Sequence, residues 1–169
     1  MTIDLYFLRH AIAVERGEGD FAEEERPLTD KGRAKMIVGI GGLRQLEFKF
    51  DTLLSSPFTR AVQTAELVRE YLPYEGALEI EENLAPDGSL KSFLEKLGER
   101  KGKSFLLVGH EPNLSSWIQS LLGFGRKGGL LLKKGGLCRL HLEQASESAS
   151  SELIYLLQPK HLRAMGRRD

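Results

Sequence analysis

The sequence predicts an α/β protein: a three-layer α/β/α sandwich with a mostly parallel central sheet. Three observations predict it. Short apolar runs alternate with amphipathic helical stretches through most of the 169 residues, the pattern of strand–helix–strand units. Several of these runs end in turn or helix-start signals. Two of them, Leu5–Leu8 and Leu107–Val108, stop at a histidine, His10 and His110. In a parallel sheet the C-terminal ends of strands share one edge, where open α/β folds place their sites.

Along the chain, Thr2–Leu8 reads as the first strand and Val14–Arg26 as a polar loop, whose acidic run Glu23-Glu24-Glu25 reads as a solvated surface. Thr29 is a suitable N-cap for a helix in which Asp30 favours the first turn. Ala34, Ile37, Val38, Leu43 and Leu46 mark its apolar face. Gly32 suits close backbone packing there, whereas Gly41-Gly42 would bend or break the helix. Asp51–Leu54 is a second strand. Ser56 as N-cap, with Pro57 at the first helical position, starts the next helix. Ala61, Ala65, Val68 and Leu72 form its buried stripe, and Pro73 stops it.

Ala77–Ile80 is a short strand and Asn83–Gly88 a turn-rich loop. Ser89 caps a helix reaching about Leu97, and Ser104–Val108 is a buried strand. Pro112 opens a helix carrying Leu114, Trp117, Ile118, Leu121 and Leu122. Residues 125–136 are a glycine- and lysine-rich loop. Leu137–Leu142 and Leu153–Leu157 are the final strands, and a short helix follows Pro159. No repeat or linker divides the chain, so residues 1–169 read as a single domain, long enough to bury roughly 70% of its unfolded surface.

Composition narrows the function. With 41% hydrophobic and 28% charged residues and zero formal net charge, the chain is an ordinary globule without the basic excess of a nucleic-acid protein. No apolar run reaches the ~20 residues needed to span a bilayer. The N-terminus lacks the features of a secretory signal. A cytoplasmic chain with no membrane partner is the expectation. A single cysteine, Cys138, excludes an internal disulfide and reads as a core strand residue.

The chemistry lies at the predicted sheet edge. Arg9 and His10 end the first strand, His110 follows the strand Ser104–Val108, and Arg60 sits one turn into the helix after Ser55-Ser56. Guanidinium groups match phosphate geometry. A neutral imidazole can attack phosphorus, and a second, protonated histidine would help neutralise the equatorial oxygens. Two histidines could instead bind a metal. A catalytic zinc site wants a third ligand, no HxH or HxxxH spacing exists, and His141 and His161 lie in other contexts. No metal and no other cofactor is expected.

These motifs resemble the histidine phosphatase superfamily, the group that includes phosphoglycerate mutases and acid phosphatases. The resemblance rests on Leu8-Arg9-His10-Ala11, Pro27-Leu28-Thr29…Gly32, Ser55 through Ala65, and Val108-Gly109-His110. It implies a phosphoglycerate mutase-like fold, a phosphorylated nucleophile at His10, and a phosphate pocket of Arg9, Arg60 and His110. Within the superfamily the chain is most similar to small bacterial phosphohistidine phosphatases of the SixA type. It is short, it reads Arg-His-Ala where Arg-His-Gly is commoner, and Ser55–Glu66, Leu84–Gly88, Gly109–Leu114 and Gln158-Pro159…Leu162 look like that branch.

Superfamily members usually carry a general-acid carboxylate after the third strand. Here none is convincingly placed; Asp87, Glu82 and Glu111 are the candidates. A weak acid suits a phosphohistidine, whose leaving imidazole departs neutral when its distal nitrogen is already protonated. A phosphate ester leaves as an alkoxide and needs the proton. The expected activity is removal of phosphate from phosphohistidine on a protein, such as a histidine-phosphotransfer domain, by a chain taken by default as a monomer. The loops 14–26 and 126–136 would form the rims. The alternatives are a phosphatase or mutase for a small phosphomonoester, and an inactive phosphoprotein-binding module.

Overall fold

A computed structural model describes residues 2–124 and 129–167. Six strands form one sheet in the order β3-β2-β4-β1-β5-β6. They are β1 (Ile3–Arg9), β2 (Thr52–Ser55), β3 (Leu78–Ile80), β4 (Ser104–Gly109), β5 (Leu137–Leu142) and β6 (Ser151–Leu157). The first four in sequence are mutually parallel; β5 and β6 add an antiparallel edge beside β1. The helices are α1 (Asp30–Gln45), α2 (Thr59–Tyr71), α3 (Leu90–Glu99), α4 (Asn113–Leu121) and α5 (Pro159–Met165). Among the described residues, no helix is long and apolar enough to cross a membrane.

The pleat of β1 sorts the core into two halves. Leu5 and Phe7 face one side with Phe93 and Leu97 of α3 and Trp117 and Ile118 of α4. Tyr6 and Leu8 face the other with Ile40 of α1, Ala61, Ala65 and Val68 of α2, and Leu162 of α5. The outcome is the expected α/β/α layering with a mostly parallel sheet. Cys138 lies fully buried in β5, where burial pushes its thiol up to about 12.

Three details differ from the expectations. First, Gly41-Gly42 does not end α1, which runs on to Gln45. The glycines admit α5 instead: a Cβ at Gly42 would sit 2.1 Å from the Leu162 carbonyl oxygen, and one at Gly166 2.0 Å from that of Val38. Second, the buried stripe of α1 is Met36, Ile40 and Leu43 with Gly32, Gly39 and Gly42. Ala34 and Leu46 are exposed, and Ile37 and Val38 are half-buried. Third, α2 begins at Thr59, with Phe58 at its N-cap position; Ser56 is used elsewhere. Thr29 and Ser89 do cap α1 and α3, accepting from the backbone N–H of Gly32 and Ser92. Gly32 packs close, as expected: a Cβ there would lie 2.0 Å from the Ile12 carbonyl oxygen.

Candidate active site

The sheet register brings the expected residues together. Arg9 pairs with Gly109 across β1–β4, and Ser55 with Val108 across β2–β4. The ladder continues one residue further: the His10 amide donates to the Gly109 carbonyl at 3.0 Å, and the Ser56 amide to that of Val108 at 2.9 Å. Each histidine therefore leaves the sheet at a fixed height. The two imidazole centroids stand 5.1 Å apart.

A cavity of about 310 Å³ opens over them. Arg9, His10, Arg60 and His110 line it, with Glu111 and Pro86; Glu15, Arg16, Glu23, Arg26 and Lys134 form its outer wall. Both predicted rims thus contribute, although Arg126 and Lys127 lie outside the described residues. Larger depressions exist, such as one of about 630 Å³ between the C-terminal ends of α1 and α2. It holds none of this chemistry.

His10 is 6% exposed. Its Nδ1 lies 2.7 Å from the Ala11 carbonyl oxygen. That oxygen can only accept, so Nδ1 carries the proton and Nε2 keeps its lone pair. Thr64 fixes this arrangement: its hydroxyl accepts from the Ala11 amide at 3.0 Å and donates to the Arg60 carbonyl at 2.7 Å. Burial, then the neighbouring His110, and then Arg60 and Arg9 drive the His10 pKa well below the ordinary value. The ring is neutral at pH 7, the form a nucleophile requires.

His110 sits 2.8 Å from the Ser56 hydroxyl through Nε2. Ser56 also accepts from the Phe58 amide at 3.2 Å, which directs its own proton toward Nε2. The proton of His110 then belongs on Nδ1. With only protein groups around it, His110 is pushed down to about 3 by burial and by Arg60 and Arg9. It is neutral at pH 7, where a protonated ring was expected. An incoming anion would reverse part of that shift, and the neutral ring can still donate from Nδ1. Phe58 packs edge-on to His110, its centroid 5.1 Å away, and the Arg60 guanidinium carbon lies 5.1 Å from the Phe58 ring.

The arginines are held from behind. Arg9 donates through one terminal nitrogen to the Leu132 carbonyl at 3.0 Å. Arg60, 4% exposed, donates to the Glu23 carbonyl at 2.7 Å and to its carboxylate at 3.1 Å. What remains is informative. Among the described residues, three buried side-chain nitrogens have no hydrogen-bond partner: Arg9 Nε, Arg60 Nε and His110 Nδ1. Buried polar groups are almost always paired, and here all three unpaired ones are donors on residues lining one cavity beside His10. Donors so arranged suit a tetrahedral oxyanion.

The candidate acids separate. Glu82 and Asp87 are exposed and do not line the cavity. Glu111, the third candidate, does line it. Burial raises its pKa, while a 2.8 Å hydrogen bond from Ser115 and the charge of Arg9 hold that rise back. Sequence reasoning missed Ser56, taken for a helix cap, and also Thr64 and Glu23. The Ser56 signal was its position directly after β2 on the edge that carries the histidines. Among the described residues, no group of three or more His, Cys, Asp or Glu side chains is placed to hold a metal ion.

Residues 5–85 match the histidine phosphatase superfamily (branch 1). An uncharacterized protein of Picosynechococcus sp. is 38% identical over 169 residues, covering 95% of this chain and 99% of its own. The protein histidine phosphatase SixA, solved with tungstate, shares the fold with a TM-score of 0.80 at 22% identity, over 95% of this chain and 99% of that one. A phosphoglycerate mutase from Bacillus anthracis gives 0.76 at 16% identity, over 99% and 97%. The chain belongs to the histidine phosphatase superfamily and has the phosphoglycerate mutase-like fold.

Proposed function

We propose that the protein removes phosphate from phosphohistidine on a protein, by way of a phosphoryl group carried on His10. The observation that carries the covalent step is the trio of unpartnered buried donors beside an imidazole whose Nε2 is free. The phosphoryl oxygens take the Nε hydrogens of Arg9 and Arg60 and the Nδ1 hydrogen of His110. His10 Nε2 donates its lone pair to phosphorus as the P–N bond to the substrate imidazole breaks. That imidazole, protonated on its distal nitrogen, leaves neutral. Nδ1–H of His10 stays on the Ala11 carbonyl throughout and delocalises the charge of the phosphorylated ring. Water then attacks phosphorus on the open side of the cavity, a proton passes to solvent, and inorganic phosphate leaves with His10 neutral again.

The substrate reading draws on two supports. The cavity opens to solvent between charged rims, which leaves room for a phosphohistidine presented by another protein. SixA, a protein histidine phosphatase, shares the fold over 95% of this chain. A second reading, a small phosphomonoester, is favoured by Glu111: a partly buried carboxyl with a raised pKa at the cavity is what an alkoxide leaving group needs. The fold likeness to a phosphoglycerate mutase accommodates it.

Steady-state rates on a phosphohistidine peptide, a phosphoserine peptide and 3-phosphoglycerate decide between them. The expected order is phosphohistidine fastest by at least about 100-fold, the scale of one missing proton donor, with Glu111→Gln costing little on that substrate. Equal or reversed rates, with Glu111→Gln abolishing ester turnover, would establish the second reading instead.

A further inference from the structure

Glu23 stands in an acidic run, Glu23-Glu24-Glu25, that looks like solvated loop surface. Its two neighbours are exposed, whereas Glu23 reaches inward to Arg60. Its carboxylate gathers three arginines. Arg26 clasps it bidentately, terminal nitrogen to Oε1 at 2.6 Å and Nε to Oε2 at 3.0 Å. Arg16 Nε donates to Oε2 at 2.9 Å. Arg60 takes the third place at Oε1 and adds a bond to the Glu23 backbone carbonyl. Arg26 in turn donates to the Val14 carbonyl, and the Thr59 amide to the Glu24 carbonyl at 2.9 Å. The 14–26 loop is thereby laced to the first turn of α2.

We infer that Glu23 is the positioning residue for Arg60: it holds both terminal nitrogens of the guanidinium so that Nε–H faces the phosphate cavity. The chemistry requires some such device. Arginine is long and flexible, and a free side chain at a helix start would turn toward water. Arg9 solves the same problem with the Leu132 carbonyl, which like Glu23 leaves Nε open. For Arg60 the holder is a charged group on a different loop, so its grip also partly neutralises the cluster of Arg16, Arg26 and Arg60. The carboxylate keeps its charge throughout the neutral range, because its hydrogen bonds with Arg26 hold its pKa down to about 2. This inference rests on the reading of Arg60 as a phosphoryl ligand.

The test compares the full-length chain with Glu23→Ala, Glu23→Asp and, as a control on the adjacent exposed side chain, Glu24→Ala. Three readouts are taken: the Arg60 Nε–H resonance by NMR, the dissociation constant for inorganic phosphate, and kcat and KM on a phosphohistidine peptide. In Glu23→Ala the resonance should lose its dispersion, phosphate should bind about tenfold or more weakly, and kcat should fall about tenfold or more, the scale of a misplaced binding group. Glu23→Asp should recover part of each, and Glu24→Ala should match the parent. An unmoved Arg60 resonance with unchanged phosphate affinity in a folded Glu23→Ala overturns the inference; should that variant not fold, the same parent-like result in Glu23→Asp, with its carboxylate one methylene further from Arg60, overturns it. A parent chain that binds phosphate but hydrolyses neither phosphohistidine nor ester overturns the proposed reaction and leaves the role of Glu23 standing.

Discussion

His110 enters the cavity with one nitrogen already engaged. The Ser56 hydroxyl occupies Nε2, so Nδ1 is left to meet a ligand, and the tautomer is a property of Ser56 as much as of the histidine. Ser56→Ala releases that control. The expected cost in kcat on a phosphohistidine peptide is about tenfold, the scale of one hydrogen bond to a buried group, with a shifted acid limb in the pH profile. An unchanged profile would mean that Ser56 only packs. His10, Arg9, Arg60 and His110 were legible in the sequence because each sits at a predicted strand end or helix start. Ser56 was obscured by a competing local signal, since a serine before proline at the start of a helical stretch looks like an N-cap. Glu23 was obscured because nothing local tells an inward glutamate from its two solvated neighbours.

At the scale of elements, α1 and α5 meet through glycine. The Leu162 carbonyl lies where a side chain at Gly42 would begin, and the Val38 carbonyl where one at Gly166 would begin. Four glycines in one helix carry an intrinsic propensity cost. The sequence shows that cost; the contact that offsets it is long-range, which is why Gly41-Gly42 suggested a break. Gly42→Ala should lower stability by about 1–3 kcal/mol, the range for overpacking a filled contact, read as a shift in the urea midpoint. Phosphate affinity should be preserved, because α5 packs away from the cavity. A stability equal to that of the parent would contradict the close approach. The hydrophobic face of α3 shows the opposite case: Leu90, Phe93, Leu94 and Leu97 have helical spacing, all four are buried, and the pattern was readable without tertiary information.

At the scale of the whole molecule, two buried histidines with lowered pKa values tie stability to pH. Above about pH 6.5 the rings are neutral in both folded and unfolded chains. As pH falls below that, the unfolded chain takes up protons that the folded chain refuses, down to about pH 3 for His110. Stability therefore drops from pH 7 toward pH 5, by up to about 1.4 kcal/mol per pH unit from each histidine. Glu111, whose pKa is raised by burial, acts in the opposite direction, and Glu23 adds its own loss as pH falls from its ordinary value of 4.5 toward about 2. Urea midpoints should fall across this window and fall less steeply in His110→Asn. A flat profile between pH 7 and 5 would mean that the rings protonate freely in the fold. The layering, the mostly parallel sheet and the site edge followed from alternation and strand ends; the strand order did not, because it is set by long-range pairing, and nothing local singled out Glu111 among the three candidate carboxylates, because it gains its place from the path of the chain after β4.

The central claim is that phosphate passes through His10. The direct measurement is intact-mass and peptide mass spectrometry after mixing the protein with a phosphohistidine protein and quenching in alkali, which preserves the P–N bond. The account predicts one phosphoryl group on His10 during turnover, none on His10→Ala, and no turnover by that variant. Substrate dephosphorylated at full rate by His10→Ala, or a phosphoryl group found on any other residue, would contradict it.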